Sequence, residues 1–314
     1  MKYAAKKIGL MLLTMVIVSF LAFLAFQVIP GDPAVKLLGT EATPESIVAL
    51  REELGLNRPF LERYVQWVLD ALGGNFGTSY SYHVPVSELL SGKLAVTGLL
   101  TGLSFVLIVL VSIPVGLFTA QRAGGWLDRF LTAANQVLMA VPPFFTGILL
   151  TYLFGLLLRW FMPGSYIAPD VDFWGSLWYS LFPALAIALP KIAMTVKMLR
   201  SSVLSELGKD YVRTSHSRGN GSRATLYRHV LRNALGPVIS FLAMTMADIV
   251  AGSVVIEQVF SLPGLGRLLL GSISGRDYPV VQAIVVIVAL WVVLVNLAAD
   301  LLNQRLDPRL RLTE

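Results

Sequence analysis

The feature of this sequence that most limits its fold is a series of apolar segments of about 20 residues each. A helix of that length spans the roughly 30 Å hydrocarbon core of a bilayer, whereas a soluble core spreads its apolar residues with a period of 3.6 or 2. Charged residues make up 14% of the chain, against about 25% in a typical soluble domain. The sequence therefore predicts an all-α membrane protein with about six transmembrane helices. We place these helices at residues 8–29, 96–120, 132–158, 177–199, 237–259 and 280–302.

Lysine and arginine residues in the short segments that flank the helices predict the orientation. The amino-terminal and carboxy-terminal tails hold three each, and the segment 200–236 holds seven. The segments 159–176 and 260–279, on the opposite side, hold one and two. Because these residues accumulate on the cytoplasmic side, both termini and the segment 200–236 are predicted to be cytoplasmic. The same rule accounts for the net charge of +6, so no nucleic-acid partner is expected.

The predicted helices divide the chain into four parts. The first apolar segment could instead be a cleaved signal peptide, but it is too long, and no small-x-small cleavage site precedes Pro30. The long external segment is predicted to contain two helices, at residues 45–54 and 60–72. The parts are the amino-terminal tail with the first helix (1–30), the external segment (31–95), a five-helix core (96–303) and a cytoplasmic tail (304–314).

The cytoplasmic segment between the fourth and fifth helices carries the most specific pattern. Apolar residues recur at helical spacing from Val203 to Val212. Gly219 then begins a glycine-rich turn. Residues 222–235 form a second amphipathic helix, for which Ser222 is a candidate N-cap. The sequence thus predicts a helix, a glycine turn and another helix on the cytoplasmic side.

This arrangement resembles the coupling loop of permease subunits in binding-protein-dependent ABC importers. That family's loop has the pattern Glu-Ala-Ala, three residues, then Gly. Here the three positions hold Arg-Thr-Ser, beginning at Arg213, and the glycine is Gly219. The substituted pattern is similar to the dipeptide, oligopeptide and nickel branch, whose loops contain DYVRT-x4-G and HxLRNAL-x-P. Both are present, at residues 210–219 and 229–237.

Other motifs extend the resemblance over almost the whole chain. They follow the order of that branch, and each falls on the expected side of the membrane. The resemblance implies the fold of a type I ABC importer permease in a bacterial inner membrane. The motifs are PGDPA (30–34), LGLxRP (54–59), NFGTSY (75–80), VVIEQVFSLPGLGRL (254–268) with RDYPVVQ (276–282), and DLLNQRLDPRLR (300–311).

The resemblance also implies a mechanism and a set of partners. The short helix before the glycine would sit in a groove on a separate ATPase subunit, and closure of the ATPase dimer on ATP would push it. The partners would be two ATPase subunits, an external binding protein and a second permease subunit, for which the branch suggests a paralogue. The alternative is a basic loop resting on anionic lipids at about 1 kcal/mol per basic residue, which leaves the glycine turn unexplained. The expected ATPase contacts are Asp210, Tyr211, Val212, Arg213, Thr214 and Gly219.

The sequence lacks the common signatures of catalysis. It contains no G-x4-G-K-[ST] phosphate loop, no H-E-x-x-H and no G-x-S-x-G. The chain is therefore not expected to be an enzyme or to hold a cofactor, and ATP would be bound by the partner ATPase. The three histidines, His83, His216 and His229, are not spaced to share a metal, so no metal site is expected.

Charged residues within the predicted helices are candidates for function. Lys191 lies about 12 Å and Asp248 about 16 Å from the inner ends of their helices. Their similar depth predicts an ion pair that lines the pathway; the alternative is two independent residues that each face water. Glu257 lies near the outer end of the fifth helix, and we expect it to face the external segment or the binding protein.

Two other classes of membrane protein remain as alternatives. A secondary carrier would favour ten or twelve spans with repeated halves, and a membrane-embedded enzyme would need a catalytic constellation. Within the importer class, peptides are the first substrate prediction, because peptide transport is the commoner function of the branch. Nickel or a metal chelate is the alternative, since both subgroups share every motif named above.

Overall fold

The computed structural model describes residues 2–28, 33–39, 42–53 and 55–306. The end of the first predicted helix, most of the PGDPA motif and Leu54 lie outside these ranges. So does the tail after residue 306, with the last part of the DLLNQRLDPRLR motif.

The described part of the chain contains five helices that are long and apolar enough to cross a membrane, or six if one bent pair counts as a span. This agrees with the six predicted helices. All five are longer than the predicted spans, most of all α5, which begins ten residues earlier, and α8, which continues to Leu207. The five are α1 (Lys2–Val28), α5 (Val86–Gln121), α8 (Phe173–Leu207), α11 (Leu231–Val259) and α13 (Tyr278–Leu306).

The third predicted span is a bent pair of helices, α6 (Trp126–Ala140) and α7 (Pro143–Leu150). The two are inclined by 99° to each other, and α7 continues as a π-helix over Thr151–Leu157. A residue before proline disfavours the helical conformation, and Val141 accordingly has an extended backbone. The two prolines, Pro142 and Pro143, therefore divide the third predicted span into two helices.

The first of two compact units comprises residues 1–96 and 263–294. Its segment between α1 and α5 contains α2 (Pro33–Leu38), α3 (Pro44–Glu53) and α4 (Phe60–Leu72), of which α3 and α4 confirm the two predicted helices. Aromatic rings hold α4 against α1, since Phe23 contacts both Phe60 and Trp67. Ser19 and Tyr64 add a hydrogen bond of 2.8 Å between their hydroxyls.

The first unit also contains a small apolar core. It is built from the start of α5, from α12 (Leu265–Ser274) and from the start of α13. Its fully packed side chains are Val86, Leu90, Leu265, Leu268, Val280, Ala283 and Ile284.

The second unit comprises residues 97–262 and 295–314. Within it α8 packs against α6, α7 and α11. A Cβ at Gly116 would lie 2.9 Å from Leu199 Cδ2, so the glycine allows α5 to approach α8 closely. The hydroxyl of Tyr179 donates to the carbonyl of Phe260 over 2.6 Å. These contacts make α8 the central helix of the unit.

Candidate functional site

The segment between α8 and α11 folds as the sequence predicts. A short helix, α9 (Asp210–Ser217), follows α8, and α10 (Ser222–Thr225) leads through a π-helical turn, Leu226–Val230, into α11. One detail differs, because the N-cap of α10 is Gly221 and the Ser222 side chain does not cap it. The helix, the glycine turn and the second helix are all present.

Gly219 ends α9 in a conformation that side chains rarely adopt. Its φ is +83°, in the left-handed region that only glycine enters at little cost. Its N–H donates to the carbonyl of His216 over 2.9 Å, and the N–H of Asn220 donates to Ser215 over 3.2 Å. These bonds satisfy carbonyls at the helix end. The left-handed backbone at this position therefore explains why the loop pattern has a glycine there.

One face of α9 is packed against the chain itself. Val212 and Ser215 are buried. The Ser215 hydroxyl pairs with that of Thr225 over 3.0 Å. The amide of Asn220 donates to the Ser215 hydroxyl over 3.2 Å. The short helix is thereby held against the end of α10.

Four of the six predicted contact residues are exposed: Asp210, Arg213, Thr214 and Gly219. Tyr211 is half-buried, and its hydroxyl donates to Glu206 Oε2 over 2.8 Å. Partial burial of the ring raises the pKa of Tyr211. Tyr211 and Val212 therefore lie on the face of α9 that packs against the rest of the chain. The prediction that Val212 contacts a partner is wrong for this structure, because the side chain is enclosed by its own chain.

An ion pair near this segment was not predicted. The Arg200 guanidinium binds both carboxylate oxygens of Asp128, which also accepts from the N–H of Gly124. Arg200 lies on α8 and Asp128 in the first turn of α6. The sequence analysis used Arg200 only as one of the basic residues that predict the orientation. An Arg and an Asp in the polar segments beside membrane helices can each be solvated by water, so nothing in the sequence indicated that they pair.

The structure brings together the two charges predicted to pair inside the membrane. Lys191 Nζ donates to Asp248 Oδ2 over 2.8 Å. The two side chains are 22% and 63% exposed. Their helices run antiparallel, and the Ser202 hydroxyl also joins them by donating to the Ala234 carbonyl over 2.8 Å. The ion pair is therefore present, and its role in a pathway stays a prediction.

Glu257 is not on an external face. The residue is fully buried. Its Oε1 accepts from the Thr97 hydroxyl over 2.7 Å, and the Ser253 hydroxyl lies 3.4 Å away. The expectation that Glu257 faces the external segment or a binding protein is corrected, because α5 and α11 enclose the carboxylate. The sequence predicted the position of Glu257 along α11 correctly, but it did not predict which side of the helix the residue lies on.

In the first unit, one carboxylate joins two of the sequence motifs. Asp277, of the RDYPVVQ motif, is fully buried. It accepts from the Ser79 hydroxyl and from the N–H groups of Tyr80 and Ser81, which lie in or beside NFGTSY. Burial of the ring, followed by the nearby Asp277 charge, raises the pKa of Tyr80 to about 12. Two separate stretches of sequence thus form a single polar joint.

Within the described ranges, no group of three or more His, Cys, Asp and Glu residues is placed to hold a metal ion.

Comparisons with known proteins give matches along most of the chain. Residues 112–312 match the family described as "Binding-protein-dependent transport system inner membrane component". Residues 1–101 match the corresponding amino-terminal family of these membrane components. The first match alone spans more than half of the sequence.

Curated relatives match over nearly their full lengths. A protein of Sinorhizobium fredii named "Probable peptide ABC transporter permease protein" is 35% identical over 98% of this chain and 99% of its own. An "Oligopeptide transport system permease protein" of Bacillus subtilis is 34% identical over 93% and 94%. A "Dipeptide transport system permease protein" of Alkalihalophilus pseudofirmus is 30% identical over 98% and 99%.

Proposed function

This chain belongs to the family of inner membrane components of binding-protein-dependent transport systems, and on that premise we propose that it is a pore-forming permease subunit of an ATP-driven importer of di- and oligopeptides. The observation that carries the proposal is the exposed helix α9, which ends at the left-handed Gly219. A short exposed helix between two long apolar helices is suited to bind a separate ATPase subunit and to transmit its movement to the membrane helices.

The peptide substrate is supported by the names of the relatives, which transport peptides, oligopeptides and dipeptides. Import of nickel or a metal chelate by the same mechanism is the alternative, and the branch resemblance supports it. A peptide and a chelate would both arrive on an external binding protein, so the two substrates require the same mechanical parts.

Coupling to ATP would act through the exposed face of α9. Asp210, Arg213, Thr214 and Gly219 would contact the groove of an ATPase subunit, while Tyr211 holds the helix from behind. ATP would be bound and hydrolysed by that partner, and this chain would need no cofactor. The complete assembly would contain two ATPase subunits, an external binding protein and a second permease subunit, for which the branch resemblance suggests a paralogue. Both termini and α9 would then lie in the cytoplasm.

Co-purification with the ATPase subunits tests the coupling contact. The variant Arg213→Glu, combined with Gly219→Pro, should abolish recovery of the ATPase, because it reverses a charge on the exposed face and forbids the φ of +83°. Arg129→Glu is the matched control, since Arg129 is exposed on α6 and outside the contact set. Failure to recover any ATPase with the wild-type chain would contradict the importer and favour a secondary carrier.

A further inference from the structure

The exposed faces of the apolar helices differ in composition. Most present large aliphatic side chains, as a lipid-facing surface requires. On α1 the exposed residues include Ile8, Leu12 and Val16, and on the α7 segment they include Ile148 and Leu156. These faces need no partner other than hydrocarbon.

The exposed face of α11 is different. Ser240, Met244, Asp248 and Gly252 follow one another at intervals of four residues, and all four are exposed. Residues four apart lie on one face of a helix. Small, polar and charged side chains therefore replace the aliphatic ones along the middle of a membrane helix.

Asp248 lies too far from either end of α11 to reach the bilayer surface. It is eleven residues from Val259 and seventeen from Leu231, which correspond to about 16 Å and 26 Å along the axis. A charge at this depth almost always faces the interior of a bundle or a water-filled cavity. With 63% of its side chain exposed, Asp248 marks the face of the unit that meets an aqueous pathway.

The ion pair leaves half of this carboxylate available. Lys191 Nζ contacts Oδ2. Within the ranges that the structure describes, Oδ1 accepts no hydrogen bond. Lys191 is the more enclosed partner, at 22% exposure, and it lies near the middle of α8. The pair therefore presents a fixed anionic oxygen toward the pathway and keeps its cation behind it.

Methionines flank the pair on the side toward α9. Because α8 and α11 are antiparallel, Met194 and Met244 each lie one turn from the pair in the same direction. Met244 is 64% exposed. Flexible thioether side chains adapt to different shapes and are common on surfaces that bind varied ligands.

We propose that this face binds the peptide in transit, and that Oδ1 of Asp248 accepts a hydrogen bond from the α-ammonium group of the peptide. The inference rests on the proposed function. Peptides of different sequence share an α-ammonium group but not their side chains. A fixed carboxylate beside adaptable methionines therefore suits a substrate class defined by its backbone and terminus.

The test uses the complete importer in proteoliposomes, with trialanine and N-acetyl-trialanine as substrates. Each peptide is supplied at the concentration that half-saturates the isolated binding protein, so that loading is equal. Asp248→Asn should lower trialanine import about tenfold or more, as expected for a lost hydrogen bond to a charged group. It should change N-acetyl-trialanine import by less than about twofold. Asp170→Asn, in an exposed loop, is the matched control and should alter neither rate.

The outcomes separate this inference from the proposed function. An equal loss for both peptides, or a loss for neither, overturns the role of Asp248 while wild-type import still supports the importer. A wild-type assembly that imports neither peptide contradicts the proposed function itself. If the ratio of trialanine import to N-acetyl-trialanine import is the same in the variant as in the wild type, the α-ammonium site lies elsewhere.

A charge exchange covers the case in which Asp248→Asn fails to assemble. Lys191→Asp combined with Asp248→Lys keeps an ion pair but presents an ammonium group toward the pathway. Trialanine import should then stay low, whereas N-acetyl-trialanine should be imported at about the wild-type rate. Failure of this double variant to assemble would overturn the inference, because it would mean that Asp248 pairs with a cation of the second permease subunit.

Discussion

Arg200 and Asp128 form a two-point contact, in which Nε donates to Oδ1 and Nη2 donates to Oδ2, each over 2.7 Å. The contact joins the first turn of α6 to α8, seven residues before α8 ends at Leu207. Because α9 begins three residues after that end, the contact fixes the last turns of the helix that carries the coupling segment.

Removal of Asp128 should destabilise the protein. Asp128→Ala leaves the Arg200 charge without its carboxylate, and breaking a buried pair costs about 3–5 kcal/mol. Since the Arg200 side chain is 28% exposed, water solvates the unpaired guanidinium and offsets part of this cost. We therefore expect the free energy of unfolding to fall by about 2 kcal/mol. Denaturant unfolding of the purified chain measures the change. In a double-mutant cycle with Arg200→Ala, the two losses should not add; simple additivity would contradict the contact.

ATPase binding should depend on the left-handed backbone conformation at Gly219 and not simply on the number of glycines in the loop. Gly219→Ala places a side chain at a φ of +83° and costs roughly 1–2 kcal/mol. This should weaken ATPase binding about tenfold. Gly221→Ala is the control, because Gly221 has a φ of −66° and open space at its Cβ position. Titration of the ATPase subunit against both variants should therefore separate them, and equal affinities would contradict this account.

Tyr80 should make the first unit sensitive to alkaline pH. Its pKa is raised to about 12, first by burial and then by the charge of Asp277. The unfolded tyrosine loses its proton near pH 10, so the contribution to stability is complete below pH 10 and is lost as the pH rises to about 12. Tyr80→Phe should remove this slope, which is on the order of 2 kcal/mol over that interval. The difference between the two unfolding curves across pH 9–12 measures it, and parallel curves would refute it.

The buried carboxylate of Glu257 should depend on its neighbour on α5. Thr97→Val removes a hydroxyl that donates to Oε1 over 2.7 Å, and the loss of a hydrogen bond to a buried oxygen costs about 1–3 kcal/mol. Thr14→Val is the control, since Thr14 is exposed on α1. Thermal unfolding in detergent should show a lower midpoint for the first variant alone. Equal midpoints would mean that the Thr97 contact contributes nothing.

Features set by short stretches of sequence could be predicted well. The helices α3 and α4 end within a residue of the predicted bounds, because apolar spacing and nearby prolines determine them locally. Gly219 was identified as a turn for the same reason. The Lys191–Asp248 contact was also predicted, since two isolated charges at one depth have few other ways to be satisfied.

Features set by tertiary packing could not be predicted in this way. The third span was predicted as a single helix, whereas α6 and α7 meet at 99°, an angle that depends on the helices packed around them. Glu257 was placed at the correct depth and on the wrong face, because its contact with Thr97 of α5 depends on how α11 packs in the folded protein. The Arg200–Asp128 contact left no signal, since neither residue interrupts an apolar segment.

The most direct test of the central claim is peptide uptake by proteoliposomes that contain this chain, its second permease subunit and the ATPase subunits. With external binding protein and internal ATP, we expect accumulation of trialanine. Uptake should stop when ATP, the ATPase subunits or the binding protein is left out, and it should persist when an ionophore collapses the proton gradient. Uptake that needs the proton gradient and no ATP would contradict the importer and identify a secondary carrier.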